Sequence, residues 1–236
     1  MRKPLSYRLG KEMHVNICGI PALIYGKKSG CVYIYVHGMK GRKEDAETFA
    51  LIAENKGFQV LSFDLPGHGE RDGNVTPDPF NTLPEIEAVF DFARSKWESV
   101  SLYAVSIGAW FSLVSLHDKT LKKALLVSPI VNMKGLIERI MKSANVTPEI
   151  LRDKKVIPEA NLSWEYYKFA AEHEVTKWDC DTKILYPEND NITPRFEIDN
   201  FAEKFKCDLC VVPNAEHWLH TERELKFLLD WLKINT

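Results

Sequence analysis

Three things are scarce in this chain: excess charge of one sign, long apolar runs and cysteine. Its 31 lysines and arginines nearly cancel its 33 aspartates and glutamates, leaving a formal net charge of -2. A chain so balanced lacks the basic patch with which proteins neutralise phosphates, so neither nucleic acid nor an anionic membrane surface is expected as a partner. The longest uncharged stretch, Ser99 to Leu116, approaches the length of a bilayer span. It carries five serines and a mid-run glycine, however, and reads better as strand, turn and helix. No membrane span is expected. Arg2 and Lys3 are followed by no apolar run before Lys11, so no secretory leader is read and a cytoplasmic location is the expectation.

The 5 cysteines, Cys18, Cys31, Cys180, Cys207 and Cys210, are odd in number and scattered, which fits reduced thiols rather than a disulfide framework. Cys207-x2-Cys210 followed by His217-x2-His220 offers zinc-type ligands, but the gap between the pairs is much shorter than in a zinc finger. The two cysteines also fall on or beside a predicted strand, where residues three apart point to opposite faces. No metal and no cofactor are expected. Internal repeats, low-complexity segments and flexible linkers are missing too. The 236 residues, 45% hydrophobic and 27% charged, therefore read as one globular α/β domain, residues 1–236, able to bury a substantial core.

What is present is a rhythm of apolar strands and amphipathic helices. The stretch from Tyr7 to Tyr25 alternates polar and apolar residues around a turn near Gly19 and reads as an edge hairpin. Cys31 to Val36 is a continuous apolar run, as expected of a parallel strand covered on both faces, and it ends at His37-Gly38-Met39. A helix from about Ala46 to Lys56 and a strand from Phe58 to Phe63 lead into the turn-rich loop Asp64-Leu-Pro-Gly-His-Gly. Thr82 and Glu85 suggest a capping box for the helix that follows. Further on, Lys123 to Pro129, Thr182 to Tyr186 and Asp208 to Val212 read as strands. The last two are separated by a helix with Ile198, Phe201, Ala202 and Phe205 on one face.

The rhythm breaks once. Residues from about 130 to 178 hold two or three amphipathic helical pieces, including the aromatic-rich run Trp164 to Phe169. Either these aromatics pack onto the main domain or they line a lid; on the second reading Trp164 and Tyr167 contact a substrate.

Ser99 to Leu116 organises the rest. Ser106 stands between an apolar strand and an apolar helix, with Ala104 two residues before it and Gly108 two after, close to the Gly-x-Ser-x-Gly pattern of a nucleophile elbow. Small residues let strand and helix approach while the serine is held, strained, at the apex. Ala104 replaces the usual first glycine, and a methyl is the least intrusion the turn can receive. In a parallel sheet the functional groups gather at the carboxyl ends of the strands. Four segments fall there: His37-Gly38-Met39, Ser106, Asp190 and His217, the last three in the order Ser, Asp, His.

On these residues the chain resembles an α/β-hydrolase over nearly its whole length, in particular a small capped serine esterase similar to monoacylglycerol lipases. The resemblance implies a mostly parallel sheet of about eight strands with the second antiparallel, helices on both faces and a helical cap inserted after the sixth strand, about residues 130–178. It implies Ser106 as nucleophile, His217 as general base and acid, and Asp190 as the group that orients the imidazole. Backbone N–H groups of Met39 and Ile107 are implied as the oxyanion hole. His37 and His68 are read as loop-organising hydrogen-bonders, and His220 as an exposed or rim residue. Glu188 is the rival to Asp190, because Pro187 stands near where the family often has glycine; the Asp-Asn-Ile-Thr-Pro context favours Asp190.

A serine at the elbow excludes the branches of this fold that form an ester on an aspartate. Acyl transfer to water remains, with a small-molecule acyl ester and water as the expected partners and a carboxylesterase as the expected enzyme. Aminopeptidase, amidase and thioesterase activities share the fold, so the preference for esters rests on analogy. A non-catalytic ligand-binding protein is the expectation of another class, and the complete Ser, Asp and His set speaks against it.

Overall fold

The computed structural model describes residues 12–71, 73 and 75–236, so the part of the expected first segment before Glu12 lies outside the described residues. Eight strands form one sheet: β1 (Met13–Ile17), β2 (Ile20–Tyr25), β3 (Cys31–Val36), β4 (Gln59–Phe63), β5 (Ser99–Val105), β6 (Ala124–Val127), β9 (Thr182–Pro187) and β10 (Asp208–Val212). A separate antiparallel pair, β7 (Val156–Ile157) and β8 (Leu162–Ser163), lies between β6 and β9 in the chain. The order across the large sheet is β1-β2-β4-β3-β5-β6-β9-β10, and β2 alone runs against the rest. This is the mostly parallel, eight-stranded α/β-hydrolase sheet with its second strand reversed.

Local chemistry accounts for the elements. The β1–β2 turn has two central residues, Cys18 and Gly19, both at positive φ (53° and 92°). That is the left-handed geometry whose twist suits a two-residue hairpin, and the Asn16 side chain steadies it by accepting the Gly19 N–H at 2.7 Å. Between β4 and β5 runs α2 (Pro79–Lys96), which starts four residues earlier than the Thr82–Glu85 pair suggests. Asp78 caps it instead, accepting the N–H groups of Phe80 (2.8 Å) and Asn81 (2.9 Å), while Asn81 reciprocates to the Asp78 N–H. Pro79 at the first helical position needs no partner for a missing N–H, so Asp-Pro outcompetes the later signal.

Alternation along the strands divides the core. Val32, Ile34 and Val36 of β3 and Leu102 and Ala104 of β5 face one side. There they meet Ile86 and Val89 of α2, helix α3 (Ile107–Ser115) and helix α7 (Arg195–Phe205). Tyr33, Tyr35 and Tyr103 face the other side, with Phe49 of α1 (Glu47–Asn55) and Trp231 of α8 (Glu222–Asn235). The Phe49 and Tyr103 rings meet edge to face at 4.4 Å. Helix α3 is apolar nearly all round because it is buried nearly all round. Its Ser112 and Ser115 hydroxyls are satisfied inside the helix by the carbonyls of Gly108 (2.7 Å) and Phe111 (2.8 Å). Trp110 is 1% exposed there, and truncating it to alanine would cost about 3–5 kcal/mol.

Residues between β6 and β9 form helices α4 (Met133–Ser143), α5 (Pro148–Lys154) and α6 (Trp164–Glu172) with the β7–β8 pair. Met133, Ile137 and Met141 of α4, Leu151 of α5 and Ala170 of α6 join the core on the α2–α3 side, so this segment packs onto the sheet domain. Among the described residues no helix is long and apolar enough to cross a membrane.

Candidate active site

Sheet register brings the site together. Val36 at the end of β3 pairs with Ala104 on β5, and Val127 at the end of β6 pairs with both Val105 and Leu185. The loops leaving β3, β5, β9 and β10 therefore open on one edge. Ala104 is fully buried between Val36 and Leu126, and its methyl is absorbed into the core.

Ser106 follows β5 at φ 52° and ψ -120°, a conformation that serine adopts only where its surroundings enforce it. Its N–H donates to the Val127 carbonyl (3.1 Å) and its carbonyl accepts from Ala109 and Ile130 (3.1 Å each), so the apex is held on both sides. Gly38 lies against it: a Cβ on Gly38 would stand 3.2 Å from the Ser106 Cβ.

From this apex the Ser106 Oγ reaches the His217 Nε2 at 2.8 Å. The His217 Nδ1 lies 2.7 Å from the Asp190 Oδ2. Asp190 has a side chain with 0% exposure, and its Oδ1 accepts the N–H groups of Ile192 (2.8 Å) and Thr193 (2.9 Å). A carboxylate accepts only, so Nδ1 carries the proton and Nε2 is left with a lone pair facing the serine hydroxyl. Three residues spread over 111 positions of sequence, from 106 to 217, thus form one chain of hydrogen bonds.

Two neighbouring loops steady each other. The Asn189 N–H donates to the Ala215 carbonyl at 2.8 Å and the Glu188 N–H to that of Val212 at 3.0 Å. Glu188, the rival acid, is exposed, and its Oε2 accepts the Asn214 N–H at 2.7 Å. It ties the histidine loop in place and does not meet His217. Tyr186 and Thr193, which sequence reasoning did not single out, brace the acid loop. The Tyr186 hydroxyl donates to the Thr193 carbonyl (2.9 Å), and the Thr193 hydroxyl donates to the Pro129 carbonyl (3.1 Å). Their positions in the sequence are those of any strand tyrosine and loop threonine, and nothing local marks them.

The other histidines organise loops. His37 is fully buried; its Nδ1 donates to the Gly38 carbonyl (2.8 Å) and its Nε2 accepts the Leu65 N–H (3.0 Å). Burial is the main cause that lowers its pKa to about 4, so the ring is neutral. His68 accepts the Lys40 N–H at 2.9 Å, which links the loop after β4 to the one after β3. His220 is exposed, stacked on Trp218, and donates to the Trp218 carbonyl at 2.7 Å. Cys207 precedes β10 and Cys210 lies within it. Among the described residues no group of three histidine, cysteine or acidic side chains is arranged to hold a metal.

Above Ser106 opens a cavity of about 1260 Å³. Met39, Ser106 and Ile107 line its floor; Leu136, Ile140 and Leu162 are among the apolar residues of its wall. Of the aromatic run on α6, Tyr166 lines the cavity, whereas Trp164 and Tyr167 lie outside the lining. Those two rings pack on each other at 5.8 Å, and the Tyr167 hydroxyl donates to Glu138 at 3.0 Å. The physical reason is the helix: Tyr166 turns toward Trp110 (5.8 Å between rings), while the Trp164 and Tyr167 rings pack on each other away from the lining.

The reversed second strand, the strained serine after the fifth and the open edge of the sheet define an α/β-hydrolase of the serine type. A family model described as serine aminopeptidase, S33, matches residues 27–168, and the chain belongs to that family. Among solved structures it is similar to Est1E from Butyrivibrio proteoclasticus with ferulic acid bound, at 19% identity and a TM-score of 0.73 over 94% of this chain and 96% of that one. It is similar to the Pyrococcus furiosus esterase PF2001, at 17% identity and 0.69 over 98% and 88%. A third likeness is to alpha/beta hydrolase domain-containing protein 10 from mouse, at 15% identity and 0.72 over 95% and 98%. At such identities these likenesses speak for the fold. No curated protein sequence matches the chain.

Proposed function

We propose that the protein is a carboxylesterase that cleaves small or medium acyl esters through Ser106, His217 and Asp190. The observation that carries this reading is the unbroken hydrogen-bond chain from the strained Ser106 through His217 to a buried carboxylate, on the floor of an apolar cavity. His217 takes the Ser106 proton as Oγ bonds to the acyl carbon, and the electron pair of the carbonyl moves onto its oxygen. The N–H groups of Ile107 and Met39, both beside Ser106 on the cavity floor, receive that oxyanion. His217 then protonates the leaving alkoxide. Water, activated in turn by His217, releases the acid and restores Ser106.

The lining favours an ester over an aminoacyl amide. An aminopeptidase needs an unengaged carboxylate near the nucleophile for the substrate ammonium. Of the carboxylates lining the cavity, Asp78 caps α2 and Glu165 is paired with Lys168 at 2.9 Å. Residues of about 130–178 serve in this reading as the lid of a single α/β-hydrolase domain, with α4 and α6 giving the acyl group its apolar surface.

A fluorophosphonate probe tests the nucleophile: wild type is labelled and Ser106→Ala is not. A panel of p-nitrophenyl esters of rising chain length, a hydroxycinnamoyl ester in view of the ferulic acid held by Est1E, and an aminoacyl-anilide tests the reaction. Turnover of the anilide ahead of every ester would overturn the esterase reading.

A further inference from the structure

We propose that Arg139, held by Glu197, is a positioning residue for the reaction: from the first helix of the segment over the cavity it fixes the loop that keeps Asp190 aimed at His217. The inference rests on the reading of Asp190 as the orienting acid.

Asp190 points one oxygen at His217 only because its other oxygen is pinned by the backbone two and three residues on, at Ile192 and Thr193. The aim of the carboxylate therefore follows wherever that backbone goes. Thr193 is anchored from the sheet domain by Tyr186 and Pro129. Ile192 has a different anchor. Its carbonyl accepts from Arg139 Nη2 at 2.9 Å, a contact that arrives from α4, 53 residues away.

The arginine is itself gripped. Its Nη1 donates to Glu197 Oε1 at 2.6 Å and its Nη2 to Oε2 at 3.4 Å, and Glu197 also accepts from the Asn132 side chain at 3.2 Å. Glu197 is 6% exposed and sits in the first turn of α7, directly after the acid loop. The packing around it is close: a Cβ on Gly135 would stand 2.7 Å from Glu197 Oε1, so glycine there makes room for the pair. One planar guanidinium thus addresses the carboxylate at the foot of α7 and the carbonyl beside Asp190 together, which the single ammonium of a lysine cannot do. Glu197 is buried but the Arg139 side chain is 36% exposed, so the pair adds little net stability and geometry accounts for it better than stability does. Arg139 also lines the cavity.

A double-mutant cycle on the full chain tests the idea, with p-nitrophenyl acetate as a substrate too small to depend on the lid. Arg139→Gln is expected to lower kcat about tenfold to a hundredfold with KM within about threefold, the scale on which small misplacements of a catalytic group act. In the Asp190→Asn background the same substitution is expected to lower kcat less than about twofold, because the residue it acts through is already disabled. Glu197→Gln should move kcat in the same direction by less. Arg139→Lys, which keeps the charge and loses the fork, should stay below wild type. If Arg139→Gln does not fold, as judged by circular dichroism, Glu197→Gln carries the cycle. Equal losses in both backgrounds, a change confined to KM, or undiminished kcat would overturn the inference alone. Wild-type kcat in Asp190→Asn by itself would overturn the acid assignment and the inference with it.

Discussion

The side chain that Gly108 lacks would stand 2.4 Å from the carbonyl oxygen of His37 and 2.8 Å from that of Val36. The end of β3 is pressed against the first turn of the helix behind Ser106, and no backbone atom in that contact can move without shifting a strand or the apex. Gly108→Ala is therefore expected to cost about 3 kcal/mol or more, at the upper end of overpacking. Urea unfolding reads it directly, and a wild-type midpoint would show that the approach is looser than described.

Ser106→Ala and His217→Ala are expected to lower turnover of p-nitrophenyl esters roughly 10⁴- to 10⁶-fold, as in other enzymes whose residues act as a unit. Asp190→Asn should cost somewhat less, since it disturbs the tautomer and orientation of His217 and leaves the nucleophile in place. Steady-state kinetics with active-site titration separates a slow enzyme from a trace of wild type.

Glu188→Gln keeps an oxygen that can accept the Asn214 N–H, so its activity should lie within about threefold of wild type. If this variant were crippled while Asp190→Asn was nearly silent, the acid would have been assigned to the wrong residue.

His37 links folding to pH. Its pKa is lowered from 6.5 to about 4 in the folded protein, chiefly by burial. The unfolded chain therefore binds more protons between those two values, and stability rises with pH across that window. The contribution is complete above about pH 6.5 and is lost as pH falls toward 4, by up to about 3 kcal/mol. Urea midpoints between pH 7 and 5 should fall more steeply for wild type than for His37→Gln; parallel slopes would exclude His37 as the titrating group.

Tyr166 carries a buried hydroxyl with no hydrogen-bond partner among the described residues. Leaving such a group unsatisfied costs about 1–3 kcal/mol, so Tyr166→Phe should raise the unfolding midpoint while keeping the ring against Trp110. A lowered midpoint in differential scanning calorimetry would mean that the hydroxyl has a structural partner.

Signals that live within one element were legible in the chain. Continuous apolar runs at β3, β5 and β6, the small residues around Ser106, and the helical spacing of Ile198, Phe201 and Ala202 all report on faces that neighbouring residues share. So the mostly parallel sheet and the order Ser, Asp, His could be read in advance, whereas the reversed second strand was implied only by the family resemblance. Where two local signals competed, reading failed: Thr82 and Glu85 looked like a helix start, and Asp78 with Pro79 took the role four residues earlier. The same limit applies to α6, whose run of aromatics has no local mark to tell Tyr166, on the cavity, from Trp164 and Tyr167, which are not.

The amino-acid sequence alone determined the fold class, the place of the strained serine and the residue types available at the open edge of the sheet, because each depends on periodicity and on the sterics of adjacent residues. Only the tertiary structure decided which carboxylate meets His217, that Glu188 braces a loop instead, and that Arg139 on α4 reaches the carbonyl of Ile192. Those contacts join residues 26 to 53 positions apart across separate elements, and such distances are set by packing of the whole chain, which no short stretch encodes.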